Sequence, residues 1–436
     1  MRTFVLPFFT RWWRQGLFAD GWLQRAGDLL QRRQDVIRGV QWLFVGLYYF
    51  LLIVPAILPQ PVNRAEILST LAGWAEIIFW GVWWPGVILS MMLFGQFWCG
   101  VFCPDGTVTE WVSRHGRGGK IPGWVRWSGW PLMAFSVVVV YEHLSNAYQA
   151  PRAILLSVGG ASLLALACGF FLGRGKRVWC RYLCPVSSLF SLLARCAVFH
   201  FKVDRVAWDS APKPLPRAID CPPLLDVRRL RSNEKCSMCG RCSGHRNAVV
   251  LTARAPGSEI VGMEEHEIRL ADAFAICFVL IGLCYGAIHG RHGLLASCLA
   301  TLSGASNIDG GILLQLCAVM VVASVLGTGV GFMLFMAGRG RRIVACHLAY
   351  TLIPVAGGGL FLGALEHAFL LLKESGLTAD SWIVGVRLFF VACGVIWSWL
   401  LARQVLWRWM GEGDGLNRAI YGLLLLLLGP LYQFTP

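Results

Sequence analysis

The feature that most limits what this chain can become is a recurrence. Nine apolar stretches, each about 20 residues long and so able to cross a bilayer as a helix, lie near 39–58, 75–96, 129–147, 153–172, 270–288, 312–336, 343–371, 382–402 and 417–433. Charged residues are only 14% of the chain and hydrophobic ones 56%, where a soluble chain carries about 25% charge. The expected fold is an all-α polytopic membrane protein of about nine transmembrane helices. The stretch 343–371 is overlong and contains Gly357, Gly358 and Gly359, where a bend is expected. No cleavable signal peptide is visible ahead of the first apolar run.

The formal net charge of +15 invites a nucleic-acid reading. The placement of the cations opposes it. Seven Lys or Arg fall in 1–38, four in 113–127, four in 173–181, three in 337–342 and three in 403–418. The alternate loops carry one each: Arg64, Arg152, Arg291 and Lys373. This is the positive-inside pattern. It predicts an inside N-terminus, an outside C-terminus after nine spans, and no nucleic-acid partner.

Four segments follow in order. Residues 1–38, with Trp12 and Trp13, read as a cytoplasmic amphipathic segment on the membrane surface. Residues 39–200 are a four-helix membrane unit. Residues 201–268 are the only extended polar segment, with Pro212, Pro214 and Pro216 near its start. Residues 269–436 are a five-helix membrane unit.

The first membrane unit repeats itself. Trp98-Cys99-Gly100-Val101-Phe102-Cys103-Pro104 returns as Trp179-Cys180-Arg181-Tyr182-Leu183-Cys184-Pro185. Each copy ends a helical hairpin at the predicted inner face, and a helical run follows each Pro, at 105–113 and 186–198. On one continuous helix the two Cys of a C-x3-C pair would share a face, their Cβ atoms about 5–6 Å apart. Two converging pairs would offer four thiols, enough for a cluster, for redox-active thiol pairs or for another metal. Asp105 and Glu110 follow the first pair, where Val186 and Ser191 follow the second. They are candidate proton acceptors, and Asp105 also suits the positive end of a helix.

The polar segment holds the clearest motif, Cys236-Ser237-Met238-Cys239-Gly240-Arg241-Cys242. Three thiols spaced by two residues can hold three corners of a cubane. In a two-cluster ferredoxin the fourth comes from the Cys-Pro of the other motif. Cys221-Pro222 stands upstream, while the positions that would complete the other cluster are Ala211, Pro214, Arg217 and Arg246. One ligand set is therefore missing together, and the other, Cys221, Cys236, Cys239 and Cys242, is complete. The same four thiols suit zinc, and His245 is a competing fourth ligand. Among the other Cys, Cys168, Cys277, Cys284, Cys298, Cys317 and Cys393 lie in or beside apolar stretches and read as small hydrophobes. A reducing compartment favours metal binding over disulfides.

The paired C-x3-C-P motifs followed by a C-x2-C-x2-C insert resemble the membrane polyferredoxins of the NapH, NosR and CcoG types, over roughly residues 36–255. The resemblance implies a bacterial inner-membrane protein with a small cytoplasmic ferredoxin-like insert holding 4Fe-4S clusters. It implies electrons drawn from quinol, as in a quinol dehydrogenase component, and passed to a redox partner protein or a metalloenzyme under maturation. This chain departs from the family in keeping one full ligand set and in adding five spans. A second cluster would fall to Cys99, Cys103, Cys180 and Cys184. The alternative is a membrane redox-sensing regulator or assembly factor with a sensory or structural cluster. In the added spans, Cys346-His347 and Glu366-His367 stand out, with His289 and His292 in a loop. His347 and His367 are too far apart on one helix to share a haem b. Each would need another His or Met, and satisfied histidines are the plainer reading.

Overall fold

The computed structural model describes residues 20–58, 69–145, 147, 150–211, 218–289, 312–376, 380–411 and 414–432. Trp12, Trp13, Arg64, Pro212, Pro214, Pro216, Arg217, Arg291, His292 and Cys298, and the side chain of His289, lie outside the described residues. The helices relevant to the site are α1 (Asp20–Arg32), α2 (Gln34–Ile57), α3 (Leu71–Phe94), α4 (Phe97–Val101), α5 (Pro104–His115), α6 (Trp130–Leu144), α7 (Pro151–Phe171), α8 (Val178–Tyr182) and α9 (Ser187–Leu193). Strands β1 (Phe199–Val203) and β2 (Val249–Ala253) follow. Then come α10 (Leu270–Ala287), α11 (Ile312–Ala337), α12 (Arg342–Tyr350), α13 (Ile353–Glu374), α14 (Asp380–Met410) and α15 (Gly415–Leu431).

Among the described residues, seven helices are long and apolar enough to cross a membrane: α2, α3, α7, α10, α11, α13 and α14. The stretches expected at 129–147 and 417–433 form the shorter apolar helices α6 and α15. The described residues thus form a mainly helical, polytopic arrangement with seven helices of spanning length.

The bend expected at the three glycines occurs elsewhere. Gly357, Gly358 and Gly359 lie inside α13, and the break falls at Thr351–Leu352, ahead of Pro354 in the first turn of α13. Proline disfavours helix in the residue before it and lacks the N–H needed to continue one. Small residues alone tolerate a helix whose neighbours hold it in place.

Contacts divide the chain into two compact units, each assembled from separated segments. One comprises the described residues within Met1–Tyr49, Leu89–Pro131 and Gly160–Glu259. The other comprises those within Phe50–Ile88, Leu132–Gly159 and Ile260–Pro436.

The first unit contains the insert. Strands β1 and β2 pair antiparallel, with Phe201 opposite Leu251. Phe201, Val249, Leu251, Val227, Met238 and Cys236 form its core together with Leu23 of α1. Amphipathic α1 therefore turns part of its apolar face to the insert, while Trp22 and Leu29 of the same helix remain exposed. Ser243 Oγ donates to Asp28 Oδ1 at 3.0 Å, adding a polar tie at the same face.

The second unit is closed by buried polar staples between helices. Tyr350 Oη donates to Asp272 Oδ2 at 2.7 Å, and Asn417 Nδ2 donates to the carbonyl of Ala337 at 2.9 Å. Polar side chains within an apolar bundle are expected to find such partners.

Candidate functional site

The two C-x3-C-P repeats fold alike, but neither is one continuous helix. Cys99 lies in α4 and Cys103 is the N-cap of α5. Cys180 lies in α8, and Cys184 follows that helix's end. The residue ahead of each Cys-Pro has nearly the same backbone angles: Phe102 at φ −120°, ψ −22° and Leu183 at φ −123°, ψ −22°. The backbone N–H of Cys103 reaches Trp98 O at 2.9 Å, and that of Cys184 reaches Trp179 O at 2.9 Å. The expectation of one shared helix face is corrected: the following Pro forces its predecessor out of the α region. Each pair is thereby presented around a corner, with Gly106 N donating to Cys103 Sγ at 3.4 Å.

The repeats bring their four thiols into one neighbourhood. Burial pushes Cys184 well up, and the adjoining Cys180, Cys103 and Cys99 push it further. Cys180 is raised by burial and then by Cys103. Burial raises Cys103 to about 11. Reactive thiols have lowered pKa values, so this environment opposes free-thiolate chemistry at these four cysteines.

The second set assembles in the insert. Cys221, Cys236, Cys239 and Cys242 line one cavity together with Phe201, Ile219, Leu225 and Leu230. Burial, then Cys236, Cys239 and Cys221, raise Cys242. Burial raises Cys236 to about 12, opposed by the backbone N–H of Met238. Among the described residues, no three His, Cys, Asp or Glu converge on a position fit for a single ion. Four thiols lining one pocket, together with Ser237 and Arg241, are the donor set that a 4Fe-4S group takes, and the same four thiols also suit zinc.

Several contacts fix the loop that carries this set. Asn233 Nδ2 donates to Phe199 O at 2.7 Å, and its N–H donates to Glu259 Oε2 at 3.1 Å. Gln34 Nε2 of α2 donates to Cys239 O at 3.0 Å. Gly240 sits at φ 77°, and a methyl there would also collide with Leu30. Gly100 of α4 faces the loop so closely that a methyl would land on the Ser237 carbonyl oxygen. The residue at that place in the second repeat is Arg181, so only the first repeat can receive the loop.

His245 and Arg246 take another role. The His245 ring lies 5.0 Å from Trp208, and the Arg246 guanidinium stacks over that indole at 4.9 Å. Arg246 Nη1 also donates to Trp208 O at 3.2 Å. A cation–π stack thus occupies the position where a second ferredoxin ligand would stand.

Of the residues that join the two sets, the sequence singles out Glu110 but neither Arg177 nor Arg241. Arg177 Nε donates to Glu110 Oε2 at 2.8 Å, and its Nη1 donates to Cys99 O at 2.5 Å. Its backbone N–H donates to Pro222 O at 2.9 Å, beside Cys221. Arg241, between Cys239 and Cys242, donates to Glu110 Oε1 at 2.7 Å, and Arg114 donates to the same oxygen at 2.6 Å. Despite burial, the Arg177 and Arg241 guanidiniums hold the Glu110 carboxyl down at about 2. Glu110 is therefore a fixed anion, ill suited to the proton-accepting role considered from sequence. Asp105 accepts from Ser162 Oγ at 2.7 Å.

The histidines of the second unit are engaged within it. Trp409 Nε1 donates to His347 Nδ1 at 2.8 Å, so the ring's Nε2–H donates to Ile260 O at 2.7 Å. Neither nitrogen is left to ligate a metal in this arrangement. His367 Nε2 lies 3.7 Å from Glu76 Oε2, both side chains buried.

A family model described as a 4Fe-4S binding domain matches two segments of the chain, residues 76–122 and 157–205. The first contains Cys99 and Cys103 and the second Cys180 and Cys184, so each match holds one repeat. No curated protein and no solved structure matches the chain. Fold and comparison together give a polytopic helical protein in which two segments are similar to a 4Fe-4S binding domain.

Proposed function

We propose that this chain is a membrane electron-transfer protein of the NapH, NosR and CcoG type that holds two 4Fe-4S centres. Cys221, Cys236, Cys239 and Cys242 hold one. Cys99, Cys103, Cys180 and Cys184 hold the other. The observation that carries the reading is that eight cysteines from two unrelated motifs gather as two sets in one compact unit. The family match at both repeats supports the second set.

A 4Fe-4S cluster stores and releases one electron at a time at a potential tuned by its surroundings. The chain's own residues bury the thiols, supply the backbone N–H groups beside Cys103 and Cys236, and set a cationic cluster between the sets. Quinol is the proposed donor, giving up two electrons and two protons as it becomes quinone. A redox partner or a maturing metal centre is the proposed acceptor. The Lys and Arg distribution supports a cytoplasmic location for the cysteine-bearing loops in a bacterial inner membrane.

The test is anaerobic purification in detergent followed by iron, sulfide and zinc analysis and visible spectroscopy. The reading requires iron and sulfide in equal amounts, with a broad charge-transfer band that a quinol analogue bleaches. A colourless protein with stoichiometric zinc would sink it.

A further inference from the structure

The two cysteine sets are joined by something their motifs do not predict. Arg177 stands three residues before Cys180 and belongs to the second repeat. Its side chain is 2% exposed. It reaches the first repeat through Cys99 O and the insert through Pro222 O. Its guanidinium then shares the Glu110 carboxylate with Arg241, which lies inside the insert's C-x2-C-x2-C loop. One buried ionic bridge, Arg177–Glu110–Arg241, therefore runs from one set to the other.

Charge explains why such a bridge belongs there. Eight thiolates and their reduced clusters concentrate negative charge in a low-dielectric region. Three arginines meet the Glu110 carboxylate, and Arg241 also approaches the exposed Asp220 Oδ2 at 3.9 Å, so three cations against two anions leave an excess of positive charge beside the sets. A buried cation favours the more negative, reduced form of a nearby centre. Repeat symmetry supports a special role for Arg177, since the matching residue of the first repeat is neutral Gln96.

We propose that the Arg177–Glu110–Arg241 bridge sets the reduction potentials of both centres together, with Arg177 as the positioning residue whose cation raises both. This rests on the two-centre reading above. One charge within about 10 Å at an effective dielectric near 20 is worth on the order of tenfold in an equilibrium constant, about 59 mV for one electron.

The experiment is a potentiometric titration of the full-length protein in detergent, followed by electron paramagnetic resonance, with iron and sulfide measured on the same samples. R177Q places the first repeat's own residue at this position. It is expected to keep both clusters while both midpoints fall by roughly tenfold in the equilibrium constant. R177K keeps the charge and should hold the midpoints near wild type. E110Q removes the anion and should raise both. A loaded R177Q with unchanged midpoints overturns the proposal, as does R177K shifting them as far as R177Q. Should R177Q lose its iron, E110Q decides: no rise in midpoint overturns the proposal. Wild-type protein without iron and sulfide would instead overturn the two-centre reading, and this proposal with it.

Discussion

Arg177 Nε lies 2.8 Å from Glu110 Oε2, and the contact joins the two repeats of the chain. It has a counterpart. Gln96, three residues before Cys99, donates to Ser191 Oγ at 3.4 Å, and Ser191 stands seven residues after Cys184 as Glu110 stands seven after Cys103. Each repeat thus reaches across to the same place in the other. One of the two reciprocal contacts has become a buried ion pair, and the other has stayed neutral. The insert meets both contacts, through Arg241 on the charged side and through the Glu234 carbonyl, which accepts from Gln96 Nε2, on the neutral one.

The charged contact should be costly to break. Removing one partner of a buried pair leaves an uncompensated charge, at about 3–5 kcal/mol. R177A is expected to lower the thermal unfolding midpoint markedly, and Q96A, which removes neutral hydrogen bonds to Ser191 and Glu234, to lower it less. Differential scanning fluorimetry in detergent measures both. Equal, small effects would show that the Arg177 pair does not hold the repeats together.

Acid should erase part of this stabilisation. The Glu110 carboxyl is held at about 2 against an ordinary value of 4.5. Its folded form therefore binds protons less readily than the unfolded chain. The contribution is fully present above about 4.5 and is lost as pH falls through about 2. The stability gap between wild type and E110Q should be constant from pH 7 to 5 and narrow below that. A gap that widens in acid would contradict the assignment.

Gly100 makes room for the loop that carries Cys239. G100A forces a methyl onto the Ser237 carbonyl oxygen and should lower the iron bound by the insert's set. Iron per chain compared with wild type gives the measurement. Full loading would show that the loop does not need this close approach.

The fourth ligand can be separated from its competitor. C221S should lose the insert's cluster, whereas H245A and R246A should keep it. R246A loses the stack on Trp208, worth about 0.5–2 kcal/mol, without loss of iron. Iron retained in C221S and lost in H245A would move the ligand to His245.

Much of this molecule could be read from its residues because much of it is local. Among the described residues, seven of the apolar runs gave helices of spanning length and two gave shorter ones, since backbone groups in an apolar stretch must bond to one another. The repeat was visible because seven residues recur with the same Cys-Pro ending. The break ahead of Pro354 was equally local, set by the proline and not by the three glycines. Other features depend on approach between distant segments. Neither Leu23 packing into the insert nor Arg241 meeting Glu110 has a sequence signature. Arg177 was the partial exception: aligning the repeats sets it against Gln96 and sets Glu110 against Ser191. Two unequal pairs at matched positions were the available signal.

The central claim is that each cysteine set holds its own 4Fe-4S centre, and iron stoichiometry with paired variants tests it most directly. Wild-type protein should carry about eight iron and eight sulfide per chain. C99S and C236S, one from each set, should each retain about half, and the double variant almost none. Wild-type protein with about four iron, all lost in C236S and none lost in C99S, would contradict the account and leave the repeats without a cluster.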